Sequence, residues 1–269
     1  MATLCRLAGV ARSAYYKWLK WTPSAREREV CILAKEVKRR YDMRDGILGY
    51  RQMRTQLNRK LHQKYNKKRY YRIMRALGLK SVLRKKRPKY VSVTAIHVAE
   101  NKMNRNFDAP APNVKWSTDV TELKYGNGCK AYLSAIIDLY DNAIVSWALG
   151  HSNNYKLVMD TLQKAYAKHP GLSPMIQSDR GFQYTSHEYN HLQLKYGFTK
   201  SMSRVSGCLD NQPIERFWGT YKSESYYLTK YETYEDLHSA VQRYMRYYNN
   251  YRYTERLGGM SPNEYRRAA

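Results

Sequence analysis

Acidic residues and cysteines are scarce in this sequence, and long apolar runs are missing. Its 269 residues include 22 Asp and Glu against 48 Lys and Arg, which gives a formal net charge of +26. No apolar run approaches the roughly 18 residues of a membrane span, and the N-terminus lacks a signal-peptide pattern. The four cysteines are scattered without a C-x-x-C pair, so neither a disulfide framework nor a structural zinc site is indicated. These shortages predict a cytoplasmic protein with a polyanionic partner.

The positive charge is concentrated in the first part of the chain. Residues 1–110 hold 29 Lys and Arg against 7 acids, whereas residues 111–269 hold 19 against 15. The first part therefore has the electrostatic footprint of a nucleic-acid binder, and the second resembles an ordinary enzyme domain. With 43% hydrophobic residues the chain can bury a core.

Periodicity and composition predict four segments. They are a partial helix-turn-helix-like segment at 1–23, a basic helical DNA-binding domain at 24–90, a linker at 91–113 and an α/β core with C-terminal helices at 114–269. The alternative for the first segment is a helical hairpin that makes no base contacts. Few residues precede Leu4, so the first helix is short, which fits a chain without its upstream partner.

A basic helix is predicted from about Lys67 to Leu79. Its apolar residues share one face by the 3.6-residue period. The cations left to point elsewhere are Lys68, Arg69, Arg72 and Arg75. Few acids separate these cations, which favours DNA contact over a merely solvated face. A second run of basic residues follows, and it consists of Arg84, Lys85, Lys86 and Arg87. Because this run lies in a Pro-containing segment, we expect it to be extended and to contact phosphates.

The second half changes to strands. Strands are predicted at about 114–123, 130–139 and 143–149, joined by turns at Gly126-Asn127-Gly128 and Asp141-Asn142. A helix, a short strand, a helix, a short strand and a helix follow. Three antiparallel strands and then this alternation is the element order of a ribonuclease-H-like core. The predicted fold class is therefore α/β, preceded by small all-helical helix-turn-helix modules.

Three acids stand where such strands and helices can bring them together. Asp119 lies on the first strand, Asp179 just after the fourth, and Glu215 on a helix that can cross the same sheet edge. Separated carboxylates of this kind suit a two-metal site for phosphoryl transfer. Lys222, two helical turns after Glu215, is expected beside the site and against a DNA phosphate. Asp138, on the adjacent strand, is the main competitor, and the alternative for it is a strand-end hydrogen bond.

These residues carry a family resemblance. The segments are W-S-T-D-V-T-E-L, S-D-R-G-F-Q-Y and D-N-Q-P-I-E-R-F-W-G-T-Y-K-S-E. They resemble the D, D-35-E motifs of insertion-sequence transposases related to retroviral integrases, and more closely the second-frame (OrfB) product of the insertion sequence 3 family. The G-Y-R-Q-M segment and the Y-Y-R-I-M-R-A-L-G-L-K helix are similar to that family's helix-turn-helix. Trp218 and Tyr221 stand where Phe and Leu are commoner, and with Phe217 they are expected to pack on other faces of their helix.

The resemblance implies Asp119, Asp179 and Glu215 as catalytic metal ligands, with two Mg²⁺ ions and Mn²⁺ as a substitute. It implies DNA cleavage and strand transfer at the ends of an element. The expected partners are double-stranded DNA (terminal inverted repeats and target), further copies of the chain on DNA, and an upstream-frame (OrfA-type) partner or fusion, at the bacterial nucleoid. The alternatives are an inactive DNA-binding regulator and a metal-dependent nuclease of the same fold.

Overall fold

The computed structural model describes residues 1–83, 101–203 and 208–269, with no side-chain description for residues 208 and 209. The chain divides into two compact units, Met1–Val82 and Leu83–Ala269. The basic run from Arg84 to Arg87 lies outside the described residues. None of the helices in the described ranges is both long and apolar enough to span a bilayer.

The first unit is helical. Its helices are α1 (Ala2–Leu7), α2 (Arg12–Leu19), α3 (Ala25–Asp42), α4 (Tyr50–Lys60) and α5 (Lys67–Ala76). A capping box between Ser24 and Glu27 begins α3, since each supplies the other with a hydrogen-bond acceptor. Helices α3, α4 and α5 bury a common core, which includes Leu33, Val37, Leu57 and Tyr70. Helices α1 and α2 bury little: Cys5 is the buried residue of α1, and α2 has none.

The second unit is built on a mixed five-stranded sheet. Its strands are β1 (Lys115–Tyr125), β2 (Cys129–Asp138), β3 (Ile144–Gly150), β4 (Met175–Ser178) and β5 (Thr199–Met202). They lie in the order β3-β2-β1-β4-β5. The first three are antiparallel, and β4 runs parallel to both β1 and β5. This order confirms the predicted ribonuclease-H-like core.

Helices cover both faces of this sheet. They are α6 (Tyr155–Lys168), α7 (His187–Tyr196), α8 (Gln212–Glu224), α9 (Tyr234–Tyr251) and α10 (Pro262–Arg267). Helices α6 and α7 pack on the face that carries Trp116, Ile136 and Val145. Helices α8 and α9 pack on the other face, against Leu133 and Ala135. The sheet therefore separates two apolar layers, and the residues of each strand alternate between them.

Residues 101–113, expected to be linker, pack on the second unit. Met103 is buried, and its N–H donates to Ser201 Oγ at 2.9 Å. Arg105 Nε and Asn101 Nδ2 donate to the two carboxylate oxygens of Asp210, each at 2.8 Å. These contacts come from single side chains and have no period, so the sequence pattern did not reveal them.

Asp138, the competing acid, is enclosed in an ion-paired cluster. Arg266 Nη2 lies 2.6 Å from Asp138 Oδ2, and Arg266 Nε lies 2.6 Å from Asp141 Oδ2. Asp138 also accepts the backbone N–H groups of Asn113 and Tyr140. Both carboxylates are fully buried. Asp138 therefore fastens α10 to the end of β2, which agrees with the hydrogen-bonding alternative.

Candidate active site

The alternation of β1 determines where Asp119 points. Trp116 lies in the apolar cluster under α6 and α7. Ser117 faces the opposite side, where its hydroxyl donates to Asn211 Oδ1 at 2.6 Å. Asp119 is two residues beyond Ser117 and so faces the same side of the sheet, toward α8.

Asp179 follows the last residue of β4. That strand runs parallel to β1 with Gln177 beside Ser117. Asp179 therefore comes level with Asp119, on strands about 4.8 Å apart. Asp179 Oδ1 accepts the Gly181 N–H at 2.8 Å and closes a turn. A Cβ at Gly181 would lie 2.6 Å from Gln183 Oε1 and 3.0 Å from that same Asp179 oxygen, so the turn favours glycine.

Glu215 lies in the first turn of α8 and is exposed. Asn211 fixes the N-terminal end of this helix to β1, because it accepts from Ser117 Oγ and donates from Nδ2 to the Thr118 carbonyl oxygen at 3.2 Å. Glu215 follows Asn211 by about one helical turn. It is thereby carried to the strand that holds Asp119.

Trp218 touches the site directly, which corrects the expectation that it only packs on another face of α8. Its Nε1–H donates to Asp119 Oδ2 at 3.0 Å, and the residue is 6% exposed. Trp218 follows Glu215 by three residues, so the two side chains lie about 60° apart around the helix axis. The helical spacing gives this direction from the sequence, but the pairing of the indole N–H with Asp119 depends on how α8 packs on β1. Phe217 and Tyr221 are buried in the core as expected.

The three carboxylates influence one another's ionisation. Burial, and then the charge of Asp179, raise the pKa of Asp119 to about 7, with a smaller contribution from Glu215. Desolvation raises the pKa of Asp179. Desolvation and the Asp179 charge raise the pKa of Glu215. Like charges gathered in a partly desolvated place favour the neutral acids unless a cation accompanies them.

The donor set suits a hard divalent cation, because Asp119, Asp179 and Glu215 offer the carboxylate oxygens that Mg²⁺ and Mn²⁺ prefer. None of them is ion-paired with a Lys or Arg of the described residues. Across those same ranges, no three His, Cys, Asp or Glu side chains converge closely enough to hold a metal ion. The acids therefore share one region of the sheet edge without forming a closed ligand shell.

Lys222 is half-buried on α8, two helical turns after Glu215. Burial lowers the pKa of Lys222, while the charges of Asp119 and Glu122 act in the opposite direction. Its ammonium group therefore lies within electrostatic range of Asp119. The position fits the helical spacing, and the phosphate contact stays a prediction.

Helix α5 of the first unit presents cations on its exposed face. They are Lys68, Arg72 and Arg75. Arg69 differs, because its Nη2 lies 2.7 Å from Glu29 Oε2 and its guanidinium lies 4.4 Å from the centre of the Tyr65 ring. Glu29 belongs to α3, so Arg69 fastens α5 to α3. The helical period alone placed Arg69 with the other three cations, and the structure separates it from them.

The sheet order and the three acids define a class of protein, the integrase-type members of the ribonuclease-H-like fold. Two integrase core domain families match residues 109–208 and 215–269. An HTH-like domain family matches residues 28–87, in the basic helical unit.

Relatives match along nearly the whole chain. The Escherichia coli K12 protein named as transposase InsK for insertion sequence element IS150 is 36% identical, over 98% of this chain and 92% of that protein. The insertion element IS600 uncharacterized 31 kDa protein of Shigella sonnei is 32% identical, over 98% of this chain and 97% of that protein. Transposase InsF for insertion sequence IS3A of Escherichia coli K12 is 29% identical, over 97% of this chain and 92% of that protein. The chain belongs to the insertion sequence 3 family of integrase-core transposases, and it is a transposase of the DDE class.

One solved structure with a similar core is the HTLV-2 integrase catalytic core domain in complex with magnesium, in its dimeric form. The match covers 58% of this chain and 98% of the integrase chain, with 19% sequence identity and a TM-score of 0.44.

Proposed function

We propose that this transposase cleaves DNA at the ends of its insertion sequence and joins the freed ends to target DNA, with Asp119, Asp179 and Glu215 as the catalytic acids. The observation that supports this most is their placement. Three different elements, β1, the turn after β4 and α8, carry one acid each to the same edge of the sheet. Burial first, and then the neighbouring charge of Asp179, raise the pKa of Asp119 to about 7, with a smaller contribution from Glu215.

Two Mg²⁺ ions, or Mn²⁺ in their place, are the cofactors that this donor set fits. When bound, such a pair supplies charge stabilisation for the attacking and leaving oxygens of in-line phosphoryl transfer. Asp119 and Asp179 would hold the ions from neighbouring strands, and Glu215 would complete the set from α8. Trp218 holds one oxygen of Asp119, and the Lys222 ammonium group would contact a phosphate of the element end.

The chemistry needs no covalent enzyme intermediate. In the first step a water oxygen attacks the phosphodiester at an element end and forms a P–O bond, the bond from phosphorus to the 3′-oxygen breaks, and the leaving 3′-oxygen takes up a proton that the water gives up. In the second step that 3′-hydroxyl attacks a target phosphodiester, a new P–O bond forms, and the displaced oxygen takes up the proton. Positioning and electrostatic stabilisation account for almost all of the catalysis in phosphoryl transfer, and the three acids would contribute to both by holding the cations in place.

The first unit is proposed to hold duplex DNA. The Lys68, Arg72 and Arg75 side chains, exposed on α5, would contact phosphates of the terminal inverted repeats. Action on two element ends and one target at the bacterial nucleoid is best served by several copies of the chain on DNA. An upstream-frame partner or fusion belongs to the same proposal.

The test uses purified protein and labelled element-end DNA. Asp119→Asn, Asp179→Asn and Glu215→Gln should each abolish cleavage and strand transfer while end binding persists, because metal ligands act on the transition state. Glu188→Gln is the matched control, since Glu188 also lies exposed in the first turn of its helix, on α7. Full activity in any of the three variants would remove that acid from the site. Cleavage without strand transfer in the wild type would make the protein a nuclease instead.

A further inference from the structure

We propose that Trp218 is a positioning residue for Asp119: its indole N–H holds one carboxylate oxygen so that the other oxygen faces the cation site. This inference rests on the proposed function. The bond from Trp218 Nε1 to Asp119 Oδ2 is 3.0 Å long. An indole N–H can only donate, so the bond has one direction and is strongest when Asp119 is ionised.

The indole is itself held in place. Trp218 is 6% exposed and lies in the core cluster beneath the sheet. Its ring contacts that of Phe217, with centroids 5.0 Å apart and planes at 52°. A ring packed this way cannot follow a rotating carboxylate, and the backbone N–H of Val120 also bonds to Asp119, so these two donors together set the orientation of the carboxylate.

Trp218 also belongs to a pair of attachments between α8 and β1. Asn211 bonds to Ser117 and Thr118 just before Asp119, and Trp218 bonds to Asp119 itself. Glu215 lies between these two attachments along the helix. The same helix therefore carries one acid and orients another, which sets the spacing between Glu215 and Asp119 before any cation or DNA is bound.

A purely structural role would have different consequences. A buried donor needs an acceptor, and Asp119 could simply meet that need. In that case, loss of the N–H would change the stability of the protein and leave its affinity for a divalent cation unaltered. A positioning role requires the affinity to fall, because groups that orient metal ligands typically contribute about 10–100-fold to metal affinity.

The experiment compares Trp218→Phe with the wild type in the full chain, with Mn²⁺ as the probe. Isothermal titration should show that the affinity of Trp218→Phe for Mn²⁺ is lower by about 10–100-fold. In Asp119→Asn the binding enthalpy should be lost. Trp147→Phe is the matched control, because it also removes one indole from this sheet. Trp147 lies two strands away from Asp119, on β3 beside Ala135. This variant should bind Mn²⁺ like the wild type.

A second measurement needs no variant at this position. The chain has five tryptophans, so 5-fluorotryptophan labelling gives five ¹⁹F signals, and Trp→Phe spectra at the other four positions assign the fifth to Trp218. Addition of Mg²⁺ should shift that signal most. Equal Mn²⁺ affinity in Trp218→Phe, or an unmoved Trp218 signal in a wild type that binds Mg²⁺, would overturn the inference alone. A wild type that binds neither ion, or binds them equally in Asp119→Asn, would overturn the proposed cation site together with it.

Discussion

Arg69 and Arg72 stand three residues apart on α5, and their surroundings differ. Arg69 is fastened to Glu29 by an ion pair of 2.7 Å, lies over the Tyr65 ring and is a quarter exposed. Its guanidinium and the Tyr65 hydroxyl together lower the pKa of Glu29. Arg72 is exposed. We therefore predict that Arg72→Gln weakens DNA binding by removing a phosphate contact, whereas Arg69→Gln leaves the number of contacts unchanged.

The magnitude follows from counterion release. Each phosphate contact contributes about 0.9 to the slope of log affinity against log salt. Arg72→Gln should therefore reduce the slope by about 0.9, and the Lys68, Arg72 and Arg75 triple variant by about 2.7. When the salt concentration rises fourfold, the fold-loss of DNA affinity should be about 3.5 times larger for the wild type than for Arg72→Gln. Arg69→Gln should keep the wild-type slope and lower the melting temperature, because α3 and α5 lose their ion pair.

Fluorescence anisotropy with labelled duplex DNA at several salt concentrations measures these slopes. The two single variants control for each other, since each removes one arginine from the same helix. An equal loss of slope in both would show that Glu29 does not withhold Arg69 from DNA. Unchanged slopes in both, and in the triple variant, would show that this face of α5 is only solvated.

Three further predictions concern the second unit. Arg266→Ala should destabilise the fold by about 3–5 kcal/mol in urea unfolding, because it leaves the buried Asp138 and Asp141 carboxylates unpaired; a loss below about 1 kcal/mol would contradict that pairing. Gly181→Ala should reduce single-turnover cleavage by up to about 100-fold with the melting temperature retained, because the added Cβ would lie 2.6 Å from Gln183 Oε1 and 3.0 Å from Asp179 Oδ1, so that both side chains have to move; wild-type cleavage would show that the turn adapts without moving Asp179. Lys222→Ala should weaken end binding by about 1–2 kcal/mol and reduce strand transfer without abolishing it; unchanged binding at low and moderate salt would remove it from the DNA interface.

Local signals predicted the elements of the core well. The bounds of α6 and β4 follow from the sequence alone, because Pro170-Gly171 stops the helix and a short apolar run precedes Asp179. The partners of polar side chains were harder to predict. A helical wheel gives the direction of Arg69 and Trp218 from their helix axes, but it does not say that Glu29 or Asp119 lies opposite. Such partners come from packing between elements far apart in sequence.

The placement of the competing acid Asp138 was nevertheless within reach of the sequence. The turn around Asn127 sets the register of the first hairpin, so residues equally distant from Asn127 pair across β1 and β2 and point to the same face. Asp119 pairs with Ala135, each eight residues from Asn127, and Asp138 pairs with Trp116, each eleven residues away. Eight and eleven differ by an odd number, and side chains alternate along a strand, so Asp138 must point to the face opposite Asp119. An acid on that face cannot join Glu215 on α8, and its burial beside Arg266 gives it a different function, the attachment of the C-terminal helix.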